Sequence, residues 1–343
     1  MEFVTLAKTG LRLSRVGLGT WSMTGDWWGP ADPQEAYATL RKAIDLGITL
    51  FDTAPAYGRG LSEELLGRAI RDAGCRDRVA IATKAGLQWI NGKVVRNCSL
   101  SWLAQDLENS LRRLQTDVID IYQVHWPDPL EPLEETAAFF GRLLQEGKIR
   151  AIGVSNFSPE QMERFRQVAP LHTAQPPYNL FERQIEADVL PYCQANGIAT
   201  LIYSPLCRGL LGGRLTPQTQ FPPGDLRSGI DPKFGEPRYS QYLQAAEELS
   251  RLARERYGKT LPQLAVRWLL DQPGVSAILW GARKRQQLDD LAGVWGWSLE
   301  AEAMQTIDEI LQRHVPEPLP PSFMAPPTRP GIPASQNCPE NLK

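Results

Sequence analysis

The chain has 343 residues, 42% of them hydrophobic, and a net charge of −2; this allows one large core and gives no electrostatic case for binding nucleic acid or an anionic membrane. No apolar run approaches the roughly 18 residues of a spanning helix, and Met1-Glu2-Phe3-Val4-Thr5 lacks the basic and apolar regions of a secretory leader, so a cytoplasmic location is expected. The cysteines (Cys75, Cys98, Cys193, Cys207, Cys338) form no Cys-x-x-Cys pair, which suits a reducing compartment, and His125, His172 and His314 have no metal-ligand spacing, so no metal is expected.

Residues 3–6 and 11–13 flank Lys8-Thr9-Gly10 and read as an N-terminal hairpin that could plug one end of a barrel. Residues 16–19 are a first short strand running into Thr20-Trp21, followed by a loop with Trp27 and Trp28. A helix near 33–46 precedes the apolar run 48–51, a buried strand ending in Asp52-Thr53-Ala54-Pro55-Ala56-Tyr57-Gly58. Ser62 reads as the N-cap of the next helix. Residues 79–83 run into Lys84, a helix spans about 99–114, and residues 118–124 run into His125. A helix at about 132–146 ends at Gly147.

The fifth strand, 149–154, exits into Ser155-Asn156, and Ser158-Pro159 starts a helix by N-cap and proline at its first position. The sixth, about 171–174, exits at Gln175, and a helix runs to about Gln194. The seventh, 198–202, leads into Tyr203-Ser204-Pro205-Leu206. The stretch 212–237, rich in Gly, Pro and charge, has the length of a lid or clamp. Helices near 239–257 and 261–271 precede the eighth strand, 275–279, which exits into Trp280-Gly281-Ala282-Arg283. Helices at about 285–292 and 299–312 follow. The pattern predicts an α/β fold, a single (β/α)8 TIM barrel over 1–314 with an N-terminal β-hairpin, a long loop after strand seven and an extra C-terminal helix. Residues 315–343 read as a Pro-rich tail.

The strand exits carry Thr20, Asp52, Lys84, His125, Ser155/Asn156, Gln175, Tyr203/Ser204 and Trp280/Gly281, and in a parallel barrel these share the face where such folds do chemistry. A tyrosine, with a free pKa of about 10, is a poor acid until assisted. A lysine ammonium beside Tyr57 would favour phenolate and lower its pKa. Asp52 could hold that ammonium, and His125 could orient a carbonyl oxygen. Together they describe protonation of an oxygen that has just gained charge, with hydride from a reduced nicotinamide as the fitting partner reaction. A lone Asp at a strand end is more often a cap, and a lone Tyr or Lys more often surface; the shared face reverses that reading. Trp21, Trp27, Trp28, Trp89 and Trp126 follow strand exits and read either as packing or as an apolar wall for a carbonyl substrate.

Gly17-Leu18-Gly19-Thr20-Trp21-Ser22 is only a partial match to a dinucleotide fingerprint. Arg283-Lys284-Arg285 opens the last barrel helix and reads either as a solvated basic patch or as an anion site suited to a 2′-phosphate, which favours NADP(H). Cys207 reads as a small buried residue before any redox role.

Asp52-x4-Tyr57, Ala82-Thr83-Lys84 and Gln123-Val124-His125 resemble the tetrad of the aldo-keto reductase superfamily. Gly17-Leu18-Gly19-Thr20-Trp21, Gly153-Val154-Ser155-Asn156-Phe157, Gln175-Pro176-Pro177-Tyr178-Asn179-Leu180 and Tyr203-Ser204-Pro205-Leu206 resemble its other signatures. Trp280-Gly281-Ala282-Arg283-Lys284, Val294-Trp295-Gly296-Trp297 and Phe323-Met324-Ala325-Pro326-Pro327-Thr328 are most similar to bacterial NADPH-dependent reductases of the general stress protein type.

The resemblance implies a barrel that binds NADPH in extended form and reduces aldehydes and ketones by hydride transfer. It implies Tyr57 as general acid, Lys84 and Asp52 as its tuning pair, and His125 as carbonyl orienter. Ser155, Asn156 and Gln175 would hold the nicotinamide carboxamide, with Tyr203 stacked on the ring. Ser204, Leu206, Arg208 and Arg214 would line the pyrophosphate path, with Arg227 as a clamp. Gly281, Ala282 and Arg283 would meet the 2′-phosphate end, with Gln287 nearby. Gly19, Thr20, Trp21, Asp52, Pro205, Cys207 and Trp280 complete the cofactor set, and Trp21, Trp28, Trp89 and Trp126 would line the substrate pocket. The expected partner is a small carbonyl compound. Two other readings stand beside this one: a cofactor-sensing binding protein, similar to the potassium-channel β subunits of the same fold, and an aldolase using Lys84 as a Schiff-base nucleophile.

Overall fold

Short apolar runs bounded by Gly, Pro and Asp form the staves of a closed barrel in the computed structural model, which describes residues 1–330. An antiparallel hairpin of β1 (Phe3–Thr5) and β2 (Arg12–Ser14) comes first. β3 (Val16–Gly19), α1 (Pro33–Asp45), β4 (Leu50–Asp52), α2 (Leu61–Ala73) and β5 (Ala80–Ala85) begin the alternation. A second hairpin, β6 (Leu87–Ile90) and β7 (Lys93–Arg96), interrupts it. α3 (Leu100–Leu114), β8 (Ile119–Val124), α4 (Leu133–Gln145), β9 (Ile149–Ser155), α5 (Pro159–Arg166), β10 (Thr173–Gln175), α6 (Val189–Ala195) and β11 (Ala199–Ile202) resume it. α7 (Arg238–Tyr257), α8 (Leu261–Leu270), β12 (Ala277–Gly281) and α9 (Ala301–His314) complete the described elements. The barrel order is β3-β4-β5-β8-β9-β10-β11-β12, and β12 closes on β3 in parallel register through Trp280↔Leu18 and Gly281↔Gly19.

Period-two alternation sorts the staves' side chains. Leu50, Ala82, Ile121, Ala151, Leu201, Ala277 and Leu279 fill the barrel interior, while Phe51, Ile81, Tyr122, Ile152, Ile202 and Ile278 pack outward against the helices. Small residues are required inside: a Cβ on Gly17 would stand 2.7 Å from Leu50 Cγ, and one on Gly153 would stand 2.3 Å from Thr173 Oγ1. Leu6 and Leu13 of the N-terminal hairpin join the interior cluster, so the hairpin does plug one end. At the opposite end, where the strands exit, the interior turns polar.

Local signals explain most starts. Asp32 caps α1 by accepting from Gln34 N and Glu35 N, with Pro33 at the first position. Ser158 and Gln161 form a capping box on α5. The reading of Ser62 as an N-cap is corrected: α2 begins at Leu61 after Gly60, without a side-chain cap. Ser62 instead donates to Thr20 Oγ1 at 2.6 Å and accepts from Thr53 Oγ1 at 2.9 Å. Two further differences concern helices. The segment 285–292 is a run of 3-10 turns, Arg285–Val294, and the helix ending near Gln194 spans only Val189–Ala195.

The second hairpin was absent from the sequence reading. Its turn, Asn91-Gly92, has φ of +49° and +77°, the left-handed pair a two-residue hairpin needs. Residues 320–330 cross the barrel mouth. Arg96 Nε donates to Pro326 O at 2.7 Å, Arg96 N donates to Pro327 O at 2.9 Å, and Arg329 pairs with Glu131 at 2.5 Å. Cys338 and the rest of the Pro-rich tail lie outside the described residues. No described helix is long and apolar enough to cross a membrane.

Candidate active site

The strand exits surround a cavity of about 700 Å³. Asp52 ends β4, Lys84 lies near the end of β5, and His125 follows β8. Lys84 is fully buried beneath the cavity floor. Its Nζ donates to Asp52 Oδ1 at 2.7 Å, to Thr53 O at 3.0 Å and to Tyr57 Oη at 3.4 Å. Those three bonds use all the donors of an ammonium. Asp52 Oδ2 accepts from Gln175 Nε2 at 2.8 Å. Below it, Thr20 Oγ1 donates to Asp52 O at 2.9 Å, extending the hydroxyl chain from Thr53 through Ser62.

Tyr57 reaches this cluster on a tight turn. Gly58, Arg59 and Gly60 all have positive φ, at 60°, 55° and 97°. A Cβ on Gly58 would stand 2.5 Å from Thr24 Cβ, so glycine is needed there for space as well as conformation. Arg59 is a strained non-glycine residue, held with its guanidinium 4.4 Å from the centre of the Trp89 ring. The Tyr57 and His125 rings meet edge-on with centroids 5.7 Å apart.

The electrostatics correct one sequence expectation. Burial first, and the Asp52 carboxylate second, push Tyr57 well above the ordinary phenol value. The Lys84 ammonium does not reverse this, and burial pulls Lys84 itself down from its usual value while Asp52 opposes that shift. The phenol is therefore held protonated. Burial, with Lys84 adding to it, holds His125 well below the usual histidine range, so its imidazole is neutral.

One side of the cavity is indole. Trp21, Trp27, Trp28, Trp89 and Trp126 all line it. Trp28 meets Trp21 edge-on at 5.1 Å, and Trp27 stacks on Trp89 at 5.5 Å. Leu87 and Val94 of the second hairpin and Met324, Ala325, Pro326 and Pro327 of the tail add apolar surface. The sequence reading missed these wall residues. The Asn-Gly turn signal would have revealed the hairpin; nothing local reveals the tail's docking.

The other side is polar. Ser155 Oγ donates to Gln175 O at 2.9 Å, and Asn156, with φ +63°, donates to His125 O at 3.0 Å. Tyr203 Oη donates to Asn156 Oδ1 at 2.8 Å. Ser204, Pro205, Leu206, Arg214, Trp280, Gly281 and Gln287 continue the wall, with Gly19 beside them. A Cβ on Gly281 would meet nothing closer than Ser22 Oγ at 3.9 Å, which leaves a shallow cradle along this side. At its far end Arg227 is held by Asp225 at 2.7 Å, and Arg283 stands nearby. Burial first, and the neighbouring Arg227 second, lower the pKa of Arg283, while Asp225 opposes them.

Four expected cofactor contacts are placed differently. Thr20, Cys207 and Ala282 are buried and do not line the cavity. Thr20 supports Asp52 from below, and burial pushes the Cys207 thiol up, away from reactivity. Arg208 borders the cavity, but its guanidinium is buried between Glu182 and Asp231, each at 2.5 Å, with Lys233 also on Glu182 at 2.9 Å. That charge is neutralised within the protein. Ser204, Cys207 and Arg208 have φ of +58°, +44° and +53°, so this network pins a strained turn at the cavity edge.

The model of the Aldo/keto reductase family matches residues 15–312. The chain is 55% identical over 329 residues to aldo-keto reductase YhdN of Bacillus subtilis, covering 96% of this chain and 99% of that protein. It is 34% identical over 331 residues to the NADH-specific methylglyoxal reductase of Escherichia coli, covering 91% and 100%. Among solved structures it is similar to the glycerol dehydrogenase AKR11B4 from Gluconobacter oxydans, with a TM-score of 0.85, 48% identity, and coverage of 94% and 99%.

Proposed function

The chain belongs to the aldo/keto reductase family, and from that premise we propose that it reduces aldehydes and ketones to alcohols with NADPH, Tyr57 giving the proton. The observation that carries the reading is the buried Lys84–Asp52–Tyr57 cluster on the cavity floor, with His125 beside it.

The residues present fit a nicotinamide dinucleotide. Ser155, Asn156 and Gln175 present hydroxyl and amide groups beside the floor, Tyr203 offers a ring, and a glycine-bordered wall leads to Arg227 and Arg283. Arg227 and Arg283, set against Asp225 alone, leave one net positive charge at that end, which favours a cofactor with a 2′-phosphate. When bound, the cofactor would supply hydride to the carbonyl carbon.

The protein's own part is proton handling and positioning. Neutral His125 donates a hydrogen bond that orients the carbonyl oxygen toward Tyr57. The protonated phenol transfers its proton to that oxygen as charge develops there. The phenolate left behind is stabilised by the Lys84 ammonium 3.4 Å away, which Asp52 holds in place. High acidity in the resting phenol is not needed; stabilisation of the phenolate as it forms is. The indole wall excludes water and favours apolar carbonyl compounds. A Schiff-base role for Lys84 is disfavoured because its three donors are spent inside the protein.

The test is consumption of reduced nicotinamide with NADPH and then NADH against methylglyoxal and nitrobenzaldehyde. Turnover with NADPH preferred is the expected result. Tight NADPH binding without turnover of any carbonyl would replace this reading with a cofactor-sensing role.

A further inference from the structure

The loop 24–30, which carries Trp27 and Trp28, is poorly suited to stand alone. Trp27 has φ +64° and Gly25 and Gly29 have +90° and +72°, so a non-glycine residue sits strained between two flexible ones. Such a conformation persists only when its surroundings fix it. Four contacts do so, and all come from the far, cationic end of the cavity. Arg283 Nη1 donates to Trp28 O at 2.5 Å, and Arg283 Nη2 donates to Pro30 O at 2.6 Å. The Arg227 guanidinium stands 5.1 Å from the centre of the Trp28 ring. Leu226 N donates to Trp27 O at 2.8 Å.

We propose that Arg283 is a positioning residue for the indole wall as well as a cation facing the cofactor, so that its fork of hydrogen bonds sets the protein's affinity for aromatic carbonyl substrates. The inference rests on the reductase reading and deepens it. The fork spans two carbonyls two residues apart, a task for a planar guanidinium with several fixed donors. Trp28 carries the constraint to Trp21, which meets it edge-on at 5.1 Å and meets Tyr57 at 6.3 Å. Trp27 carries it to Trp89. A flat aromatic aldehyde would lie against these rings with its carbonyl at Tyr57; a small dicarbonyl needs the floor alone. The same side chain thus serves two ends of one cavity, and loss of its fork loosens the wall while the Lys84 and Asp52 bonds beneath Tyr57 stay in place.

Arg283→Lys separates the two roles. Lysine keeps the positive charge but is a single point donor group that cannot reproduce the fork. Arg283→Ala removes both. For wild type and both variants, kcat and KM are measured for nitrobenzaldehyde and for methylglyoxal at saturating NADPH, and 2′,5′-ADP binding is measured by calorimetry. Loss of one or two charge-assisted hydrogen bonds predicts a rise of roughly 5- to 50-fold in KM for nitrobenzaldehyde in both variants. The rise in KM should be several-fold larger for nitrobenzaldehyde than for methylglyoxal, and Arg283→Lys should bind 2′,5′-ADP more tightly than Arg283→Ala. An unchanged nitrobenzaldehyde KM in both variants, or an equal rise for both substrates, overturns the inference. Failure of the wild type to bind 2′,5′-ADP would instead count against the NADPH reading, while a selective rise in aromatic KM would still place Arg283 behind the wall.

Discussion

Replacing Lys84 with methionine tests the electrostatic core of the site and separates two effects that would otherwise be confused. Methionine keeps the length of the side chain and removes the charge. Lys84 Nζ lies 3.4 Å from Tyr57 Oη, a separation at which a full unit charge on the phenolate would gain about 5 kcal/mol at an effective dielectric of about 20. With charge half developed in the transition state, the gain is about 2.5 kcal/mol, on the order of 10²-fold in rate. Stability changes as well. Asp52, with a side chain only 5% exposed, becomes an unpaired buried charge, at a cost of about 3–5 kcal/mol. The double variant Asp52→Asn/Lys84→Met removes both charges and should recover most of the stability without recovering the rate. Single-turnover reduction with NADPH in excess gives the chemical step, and denaturant midpoints give stability. A double variant that regained the wild-type rate together with its stability would refute the argument, since the ammonium would then be structural only.

Two further outcomes follow from the same geometry. The reduction rate should show no acid limb at the ordinary histidine value of about 6.5, because His125 is held neutral well below it. An alkaline limb should appear as Lys84, pulled down by burial, loses its proton while Tyr57, pushed up, keeps its own. A pH profile of kcat/KM checks both limbs, and Lys84→Met should abolish the alkaline one. Gly153→Ala places a Cβ 2.3 Å from Thr173 Oγ1 and 2.7 Å from Gln123 Cγ. Such overpacking should destabilise the fold by about 1–3 kcal/mol, read as a lower urea midpoint; an unshifted midpoint would mean that the barrel interior adapts there.

The barrel was legible because each stave announces itself twice, by an apolar run and by the polar residue at its exit. Asp52, Lys84 and His125 were found in that way, and their convergence follows from strand parallelism alone. Tyr57 needed more: its reach depends on three successive positive φ values that the glycines at 58 and 60 only hint at. The sign of the Tyr57 shift was not legible. Sequence spacing shows that a lysine is near, and only the folded chain shows that burial, with Asp52 adding to it, raises the phenol. The engagement of Arg208 by Glu182, Asp231 and Lys233 was hidden for a related reason, since those partners lie 23 to 26 residues away. Ser62 shows the limit of cap rules: a serine near a helix start caps it only if no stronger partner is in reach, and Thr20 and Thr53 are in reach. The tail's path over the mouth depends on Arg96, some 230 residues earlier, and no local pattern encodes such a contact.

The most direct test of the central claim compares wild type with Tyr57→Phe. Carbonyl reduction is followed by loss of reduced nicotinamide, and NADPH affinity is measured on the same preparations. The account predicts a fall in kcat of roughly 10²–10⁴-fold with NADPH affinity essentially unchanged, because the phenol acts on the substrate oxygen. Reduction by Tyr57→Phe at a rate close to that of the wild type would contradict it, and would require the proton to come from elsewhere in the cavity.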